Sequence, residues 1–439
     1  MSLRDIFDLP LSAADAAAVT HYNRATNKLL TLNNDPLEEV TAALALDPSL
    51  VMGQVLRGLL YALSTEKSQL PEARAALVAG QALAAGANPR EQAHLAALTA
   101  WVDGRLQAAS AHWESILVAH PNDGLAMFAA HQGDFFLGQT SELRDRVARR
   151  LPQIEPDSPL AGYYLGMLAF GYEEMGDYAR AEDAGRRALA SDRQNTWALH
   201  AVAHVMEMQH RLDEGIEWLV TRAPEWSKDS FFAVHNWWHL ALFYLEREQW
   251  GAALAVYDEH IRGTHSTVVL DLIDASALLW RLRLQGVDVG DRWQQLAAIW
   301  LAREEAGWYA FNDVHAMLAY AGAGLEEPAT ALLAHLERTA LGAGDNATMT
   351  REVGLPLARA LWACADDRHA EAVTLLLPVK AISVRAGGSH AQRDLVSQTL
   401  LSAAEHAGQR ALARALLNER LALKPQSQLN RAWRERVGT

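Results

Sequence analysis

The hydrophobic positions of this chain recur at helical spacing, in pairs of segments separated by short turns. In "YYLGMLAFGYEEMGDYARAEDAGRRALA", apolar residues at helical spacing come before a Gly-Asp-Tyr turn at residues 176–178, and small residues follow at Ala181 and Ala188. Small residues let the second helix pack closely on the first. The pattern returns about 34 residues further on, which is the period of tetratricopeptide repeats. The sequence therefore predicts repeated helical hairpins.

The same template fits other parts of the chain with more divergence, at residues 97–121, 237–260 and 401–425. Such hairpins bury their apolar faces only by stacking on their neighbours, and the stack generates a superhelix with a concave inner surface. Hydrophobic residues make up 50% of the chain, and alanine and leucine predominate, which favours helices over sheet. We expect an all-α protein: a tetratricopeptide-like α-solenoid of stacked helical hairpins, forming a right-handed superhelix with a concave pocket.

The clarity of the repeats divides this solenoid into three parts. Residues 1–120 read as N-terminal helical hairpins, residues 121–265 as central repeats that carry histidine-rich motifs, and residues 266–439 as degenerate helical repeats with an end cap. No low-complexity segment separates these parts. We therefore expect one continuous solenoid.

Charge and composition narrow the classes of partner. The formal net charge of −14 is spread along the chain without a Lys/Arg-rich stretch, so we expect no nucleic-acid partner. The single cysteine, Cys364, excludes an intramolecular disulfide and fits a reducing compartment. No apolar run reaches the roughly 18 residues of a membrane span, and the first residues lack a secretory pattern. These features predict a cytoplasmic protein without membrane insertion and leave a homodimer open.

Two consecutive first helices carry histidines one turn apart. His200, His204 and Glu207 in "TWALHAVAHVMEMQH" share one helical face, and "HNWWHLALFYLE" places His235 and His239 at i and i+4. First helices of neighbouring hairpins lie about 10 Å apart, so the two pairs can converge. The four histidines would suit a divalent metal such as zinc, with Glu207 as a further ligand or a general base. The alternative is a set of core histidines that are hydrogen-bonded separately.

The segment "LDLIDASALLWRL" places Asp271 and Asp274 on one face of an otherwise apolar helix, with Arg281 further along. Buried carboxylates are costly unless they are paired or bind a cation. This makes Asp274 a candidate acid–base residue, and Asp271 and Arg281 candidate ligand-binding residues. The alternative is that Asp271 is the N-cap of this helix and Asp274 lies in its first turn.

The segment "GGSHAQRD" begins with two glycines, which permit unusual backbone angles. His390 and Arg393 at i and i+3 would form a clamp for a carboxylate or another anion, and both are candidate catalytic residues. Ser389 and Gln392 are candidate ligand-binding residues, with helix capping by Ser389 as the alternative. The chain has no GxSxG elbow, P-loop or HExxH motif, so no standard catalytic class is indicated.

Further candidate ligand-binding residues are spread over the other repeats. They are the polar residues of "HQGDFFLG", the histidine of "FNDVHAMLAY" and aromatic residues expected to line the concave surface, namely His131, Asp134, His315, Tyr163, Phe170, Trp237 and Trp238. A lone histidine or aromatic residue is more often part of a core than of a binding site. The order in which these motifs occur along the chain favours a functional interpretation of them.

These segments together resemble the tetratricopeptide repeat protein 38 family: "HQGDFFLG", "WALHAVAHVMEMQ", "EGIEWL", "HNWWHLALFYLE", "LDLIDASALLWRL" and "GGSHAQRD" occur in the order typical of that family. The resemblance extends from about residue 117 to residue 400 and departs from the family pattern at Gln209 and His210, where a glycine is more usual. It implies no reaction, because none is established for the family. It does imply that the matching polar positions form a shared internal site.

Two classes of function follow. The first is a binding protein whose concave pocket holds a small polar ligand or a peptide segment, the usual role of such solenoids. The second is a hydrolytic enzyme that uses either a divalent metal, whose bound water would have a pKa near 7, or a metal-free acid–base pair. A close histidine cluster also predicts a loss of compactness or of ligand between about pH 6 and 5, because the rings cannot all be protonated cheaply.

Overall fold

The computed structural model describes residues 3–33 and 35–438. Within these residues the regular secondary structure is helical, apart from two isolated β-bridges that join Arg4 to Pro10 and Asn33 to Ser230. The prediction of an all-α protein of tetratricopeptide-like helical hairpins is confirmed. By its internal contacts the chain forms two compact units.

The first unit comprises the described residues up to Val202 together with Glu225–Phe232. Its helices are α1 (Ala16–Leu30), α2 (Pro36–Leu46), α3 (Val51–Ala62), α4 (Leu70–Ala82), α5 (Pro89–Val102), α6 (Leu106–Ala119), α7 (Gly124–Phe136), α8 (Thr140–Arg150), α9 (Pro159–Glu174) and α10 (Tyr178–Ser191). Short 3-10 turns connect some of them, at Lys67–Gln69, Ala84–Gly86 and Leu151–Gln153. Consecutive helices pack in pairs, α1 on α2, α3 on α4, α5 on α6 and α9 on α10.

Two further helices, α11 (Thr196–Met208) and α12 (Leu212–Trp226), contain the boundaries between the units. The division of the sequence into residues 1–120, 121–265 and 266–439 rests on how clearly the repeats can be recognised in the sequence, and it stays a prediction.

Within the described residues, no helix combines the length and the apolar composition that crossing a membrane requires.

The second unit comprises Ala203–Pro224 and the described residues from Ala233 onward. Its helices after α12 are α13 (Ala233–Glu246), α14 (Trp250–Val256), α15 (Val269–Leu284), α16 (Arg292–Arg303), α17 (Ala310–Ala323), α18 (Glu326–Ala340), α19 (Asp345–Met349), α20 (Leu355–Ala365), α21 (His369–Lys380), α22 (His390–His406), α23 (Arg410–Leu423) and α24 (Gln428–Val437). It also has π-helical turns at Tyr257–Ile261 and Thr350–Gly354 and a 3-10 turn at Ser383–Ala386.

Helix α15 lies at the centre of the second unit. It packs against α13, α17 and α22, and every residue from Asp271 to Leu282 is buried. Helix α24 packs against α13, so helices far apart in sequence surround the pair α13 and α15. Polar side chains on these two helices are therefore shielded from water and need partners inside the protein.

Local sequence determines where the neighbouring helices begin and end. Helix α22 begins with a capping box, in which Ser389 Oγ accepts from the backbone N–H of Gln392 and the Gln392 side chain accepts from the N–H of Ser389. Helix α11 ends in a turn where His210 adopts a φ of 58°, a conformation that glycine usually occupies. His210 therefore keeps the turn without a glycine.

Candidate functional site

Three buried histidines of the second unit lie together: His204 near the end of α11, and His235 and His239 one turn apart on α13. One nitrogen from each ring lies within 4.8 Å of the corresponding nitrogens of the other two. The ring centroids of His204 and His239 are 4.4 Å apart, and those of His235 and His239 are 4.8 Å apart. We call these three residues the histidine site.

Two carboxylates orient the histidine site. His235 Nδ1 lies 2.9 Å from an oxygen of Asp274 on α15, and His239 Nδ1 lies 3.1 Å from an oxygen of Glu207 on α11. Because an ionised carboxylate only accepts, each Nδ1–H donates to its carboxylate. This fixes both ring orientations and directs metal binding to Nε2, an arrangement typical of histidine ligands in metal sites.

An aromatic ring and a guanidinium cover one side of the histidine site. The Trp238 ring stacks on His235, with centroids 5.3 Å apart and an interplanar angle of 18°, and it meets His239 edge-on. The Arg281 guanidinium lies 5.4 Å from the centroid of the Trp238 ring. It donates to the backbone carbonyl of Ala391 at 2.6 Å. The backbone of the "GGSHAQRD" segment therefore contacts Arg281, which in turn packs on Trp238.

Burial sets the electrostatics of the site. It lowers the pKa of His239 well below its usual range, and the nearby His204, His235 and Arg281 lower that pKa further. Burial also raises the pKa of Asp274, although His235 opposes this rise, and lowers the pKa of Arg281 to about 10. A neutral imidazole is the form that binds a metal, so the environment holds His239 ready for that role.

Asp271 lies in the first turn of α15, one turn before Asp274. The alternative that made Asp271 the N-cap is wrong, because the helix begins two residues earlier, after Val268 in an extended conformation. Burial raises the pKa of Asp271 to about 6, against a hydrogen bond from Ser266 that lowers it. The structure thus keeps a buried acid with a near-neutral pKa on the helix that carries Asp274.

The polar side chains of "GGSHAQRD" have local partners. Ser389 and Gln392 form the capping box of α22, which is the alternative interpretation of Ser389. The Arg393 guanidinium donates to the carbonyl of Gly388, and the next residue, Asp394, pairs with Arg420 on α23. His390 begins α22, and its predicted clamp with Arg393 stays a prediction.

Two other candidates of the second unit lie apart from the histidine site. His315 Nδ1 donates to the carbonyl of Phe311 in its own helix, and burial lowers the pKa of His315 to about 4. Trp237 stacks on His260, with ring centroids 3.8 Å apart, whereas its neighbour Trp238 contacts the site histidines. Of the two tryptophans in "HNWWH", Trp238 is therefore the one with a described contact to the histidine site.

The remaining candidates lie in the first unit. Asp134 accepts from Arg146 at 2.7 and 2.8 Å and from Ser110 at 3.0 Å, and its pKa is raised by burial. His131 Nε2 lies 3.2 Å from the carbonyl oxygen of Met167, and burial lowers the pKa of His131 to about 3. These contacts tie neighbouring helices of the first unit together.

His200 lies one turn before His204 on α11, and within the first unit its ring packs among aromatic side chains. Its centroid is 4.9 Å from that of Phe232 and 5.5 Å from that of Phe170. The role of His200 as a metal ligand stays a prediction.

Tyr163, another candidate of the first unit, donates its hydroxyl hydrogen bond to Asn27.

Sequence reasoning missed one contact to the site. Lys424, in the turn after α23, lies with Nζ 3.7 Å from a Glu207 oxygen, so it adds a positive charge to the carboxylate that orients His239. The segment around Lys424 has no motif and reads as part of the end cap. Only the packing of the C-terminal helices within the second unit reveals the contact.

No family model matches the chain. Among solved structures it is similar to a human IFIT1 dimer with m7Gppp-AAAA, at 15% identity over 99% of this chain and 97% of that chain, with a TM-score of 0.45. It is also similar to the APC/C hetero-tetramer Cut9-Hcn1, at 15% identity over 87% and 76% of the two chains and a TM-score of 0.37.

A third similar structure is the P58(IPK) TPR domain, at 13% identity over 90% of this chain and 99% of that chain, with a TM-score of 0.22. Identities and TM-scores this low carry neither a ligand nor an activity to this chain. The all-α hairpin architecture stands on the helices themselves, and the resemblance to the tetratricopeptide repeat protein 38 family stays a prediction.

Proposed function

We propose that this helical-repeat protein binds a divalent transition metal at His204, His235 and His239. The observation that supports the proposal is the pairing of two of these rings with buried or nearly buried carboxylates, Asp274 and Glu207, at 2.9 and 3.1 Å. Converging imidazole rings with carboxylates behind them are typical of metal ligands.

The charges of the site suit a divalent cation. The two carboxylates behind the histidines would neutralise both positive charges of the ion in a region shielded from water. Imidazole ligands favour zinc, copper, iron and nickel over magnesium and calcium, which prefer oxygen. Zinc is the probe of choice because it binds neutral imidazole nitrogens at about 2.0–2.1 Å in tetrahedral sites.

Three protein ligands leave one position of a tetrahedral metal open. We propose that this position binds a small polar ligand, which gives the protein a binding function. Trp238 and Arg281 lie beside the histidines, so an aromatic face and a positive charge contribute to the surroundings of such a ligand.

Metal analysis of the full-length chain tests the proposal. Protein purified without a metal-affinity step is loaded with zinc, dialysed and analysed for bound metal. We expect about one equivalent in the wild type and a loss in His204→Ala and His239→Ala. His315→Gln is the matched control, because His315 is equally buried in the second unit but hydrogen-bonds within its own helix.

Circular dichroism of each variant identifies those that keep their helical content, and only these are compared. Equal metal content in the wild type and in folded His239→Ala would refute the proposal, as would a wild type that retains no metal.

A metal-dependent hydrolase is the second candidate. The observation that favours it is Asp271, a buried acid with a pKa of about 6 one turn before Asp274, since general acids and bases work best with a pKa near the operating pH. The zinc-loaded protein would then turn over members of a hydrolase substrate panel, and Asp271→Asn would lose turnover but keep the metal. If the zinc-loaded wild type turns over no ester, amide or phosphate substrate, the hydrolase candidate is refuted and the binding function is the one that remains.

A further inference from the structure

A polar cavity of about 300 Å³ opens in the second unit, and its lining residues are different from those of the histidine site. It lies where α15, α20 and α22 end, and the last residues of these helices line it together with the start of α21 and the end of α24. Its volume is at the lower end of the range of about 300–1,000 Å³ found for small-molecule pockets. A metabolite-sized ligand would fit it.

The lining of the cavity includes the guanidinium of Arg283, which can bind an anion. Arg283 lies with its guanidinium 5.5 Å from the centroid of the buried Trp280 ring, and both residues line the cavity. Within residues 3–33 and 35–438 it forms no hydrogen bond and no ion pair. A guanidinium held on an aromatic face presents its donors as a planar fork that matches a carboxylate.

The lining of the cavity also includes negatively charged groups. The exposed carboxylate of Asp367 lies 3.5 Å from His369 Nε2, and Glu405 is paired with Arg436 at 3.3 Å. The C-terminal ends of three helices also converge here, and each carries a partial negative charge. These groups favour a cation.

Two imidazoles also line the cavity. The rings of His369 and His406 have centroids 4.8 Å apart. His369 Nδ1 is buried and has no hydrogen-bond partner among the described residues. Within a protein interior such a nitrogen usually has a partner, so this one marks a place for a ligand or a water molecule.

We propose that this cavity binds a small zwitterion of the amino-acid class, with its carboxylate on Arg283 and its ammonium at Asp367 and the helix ends. The formal charges of the lining support this choice, because Arg283 and Arg436 balance Asp367 and Glu405. A simple anion would face Asp367 and three helix C-termini, and a simple cation would leave Arg283 without a partner. The inference is independent of the histidine site.

Calorimetric titration of the dialysed full-length chain tests the inference. The probes are the standard amino acids, each compared with the amine that lacks its carboxylate and the acid that lacks its ammonium. We expect at least one amino acid to bind, and both analogues to bind at least about tenfold more weakly, because each loses a charge-assisted contact.

Arg283→Met keeps the side chain over Trp280 but removes the guanidinium, so it should weaken amino-acid binding at least about tenfold. The matched control is Arg414→Met, which changes an exposed arginine of α23 that does not line the cavity. Binding of no amino acid would overturn the inference. Equal binding of the acid analogue, or unchanged binding by a folded Arg283→Met, would overturn it as well.

Discussion

At the scale of single residues, the histidine site depends on its carboxylates as much as on its rings. A buried imidazole without an orienting partner can rotate or exchange tautomers, whereas His235 is held by Asp274 and His239 by Glu207. The sequence showed the two residues of each histidine pair because they lie four positions apart. It could not show that Asp274, which is 39 positions from His235, orients that ring, because this contact requires α13 and α15 to pack.

Replacing the orienting carboxylate tests this dependence. Asp274→Asn keeps the size of the side chain but removes its charge, so we expect zinc affinity to fall about 10–100-fold, as for other second partners of metal-bound histidines. Competition with a chelator of known affinity measures the change. The control Asp258→Asn breaks an exposed pair with Arg292 and should leave affinity unchanged; equal affinity in Asp274→Asn and wild type would contradict the role assigned to Asp274.

His315 gives a prediction for pH. Its folded-state pKa of about 4 lies below the unfolded value of about 6.5, so the unfolded chain takes up a proton first and stability falls as pH drops from 6.5 toward 4. Protonation of His315 should lower the free energy of unfolding by up to about 1.4 kcal/mol per pH unit in this range. In urea unfolding, the free energy of unfolding of the wild type, relative to that of His315→Gln, should therefore be smaller at pH 5 than at pH 7. A difference that is constant with pH would contradict the assignment.

At the scale of helices, the repeats explain why the hairpins could be predicted and the helix ends only in part. Hydrophobic spacing and small residues identified the α9 and α10 hairpin, whose turn has Gly176 at a φ of 76°. The start of α15 was harder, because Asp271 resembles an N-cap while the helix begins after Val268, which has no capping side chain. Val269 and Leu272 near that end are buried, so packing in the core stabilises it in place of a cap.

The capping box of α22 leads to a prediction at this scale. Ser389→Ala removes the acceptor for the Gln392 N–H, and we expect it to destabilise the protein by about 1 kcal/mol. Ser389→Asp restores an acceptor and should recover most of this loss. Thermal unfolding measures both variants, and zinc binding should be the same in each; a Ser389→Ala variant with unchanged stability but weaker ligand binding would instead favour the direct binding role predicted from sequence.

At the scale of the whole molecule, the chain separates into two units, each with its own buried polar network. In the first unit, Arg146 holds Asp134, and His131 contacts the backbone of α9. In the second unit, the C-terminal helices bring Lys424 to Glu207, and α15 brings Arg281 to α22. The sequence indicated candidate motifs in both units. It could not show which residues contact each other across long stretches of the chain, such as Arg281 and Ala391, which are 110 positions apart and meet only in the fold.

X-ray absorption at the zinc K-edge of the zinc-loaded full-length chain tests the central claim most directly. We predict a first shell with three imidazole nitrogens at about 2.0–2.1 Å, together with the multiple scattering typical of histidine ligands. That imidazole scattering should disappear in folded His239→Ala, because the remaining two histidines no longer complete the site. A first shell of oxygen without imidazole scattering, or a spectrum that is the same in wild type and His239→Ala, would contradict the assignment of His204, His235 and His239 as metal ligands.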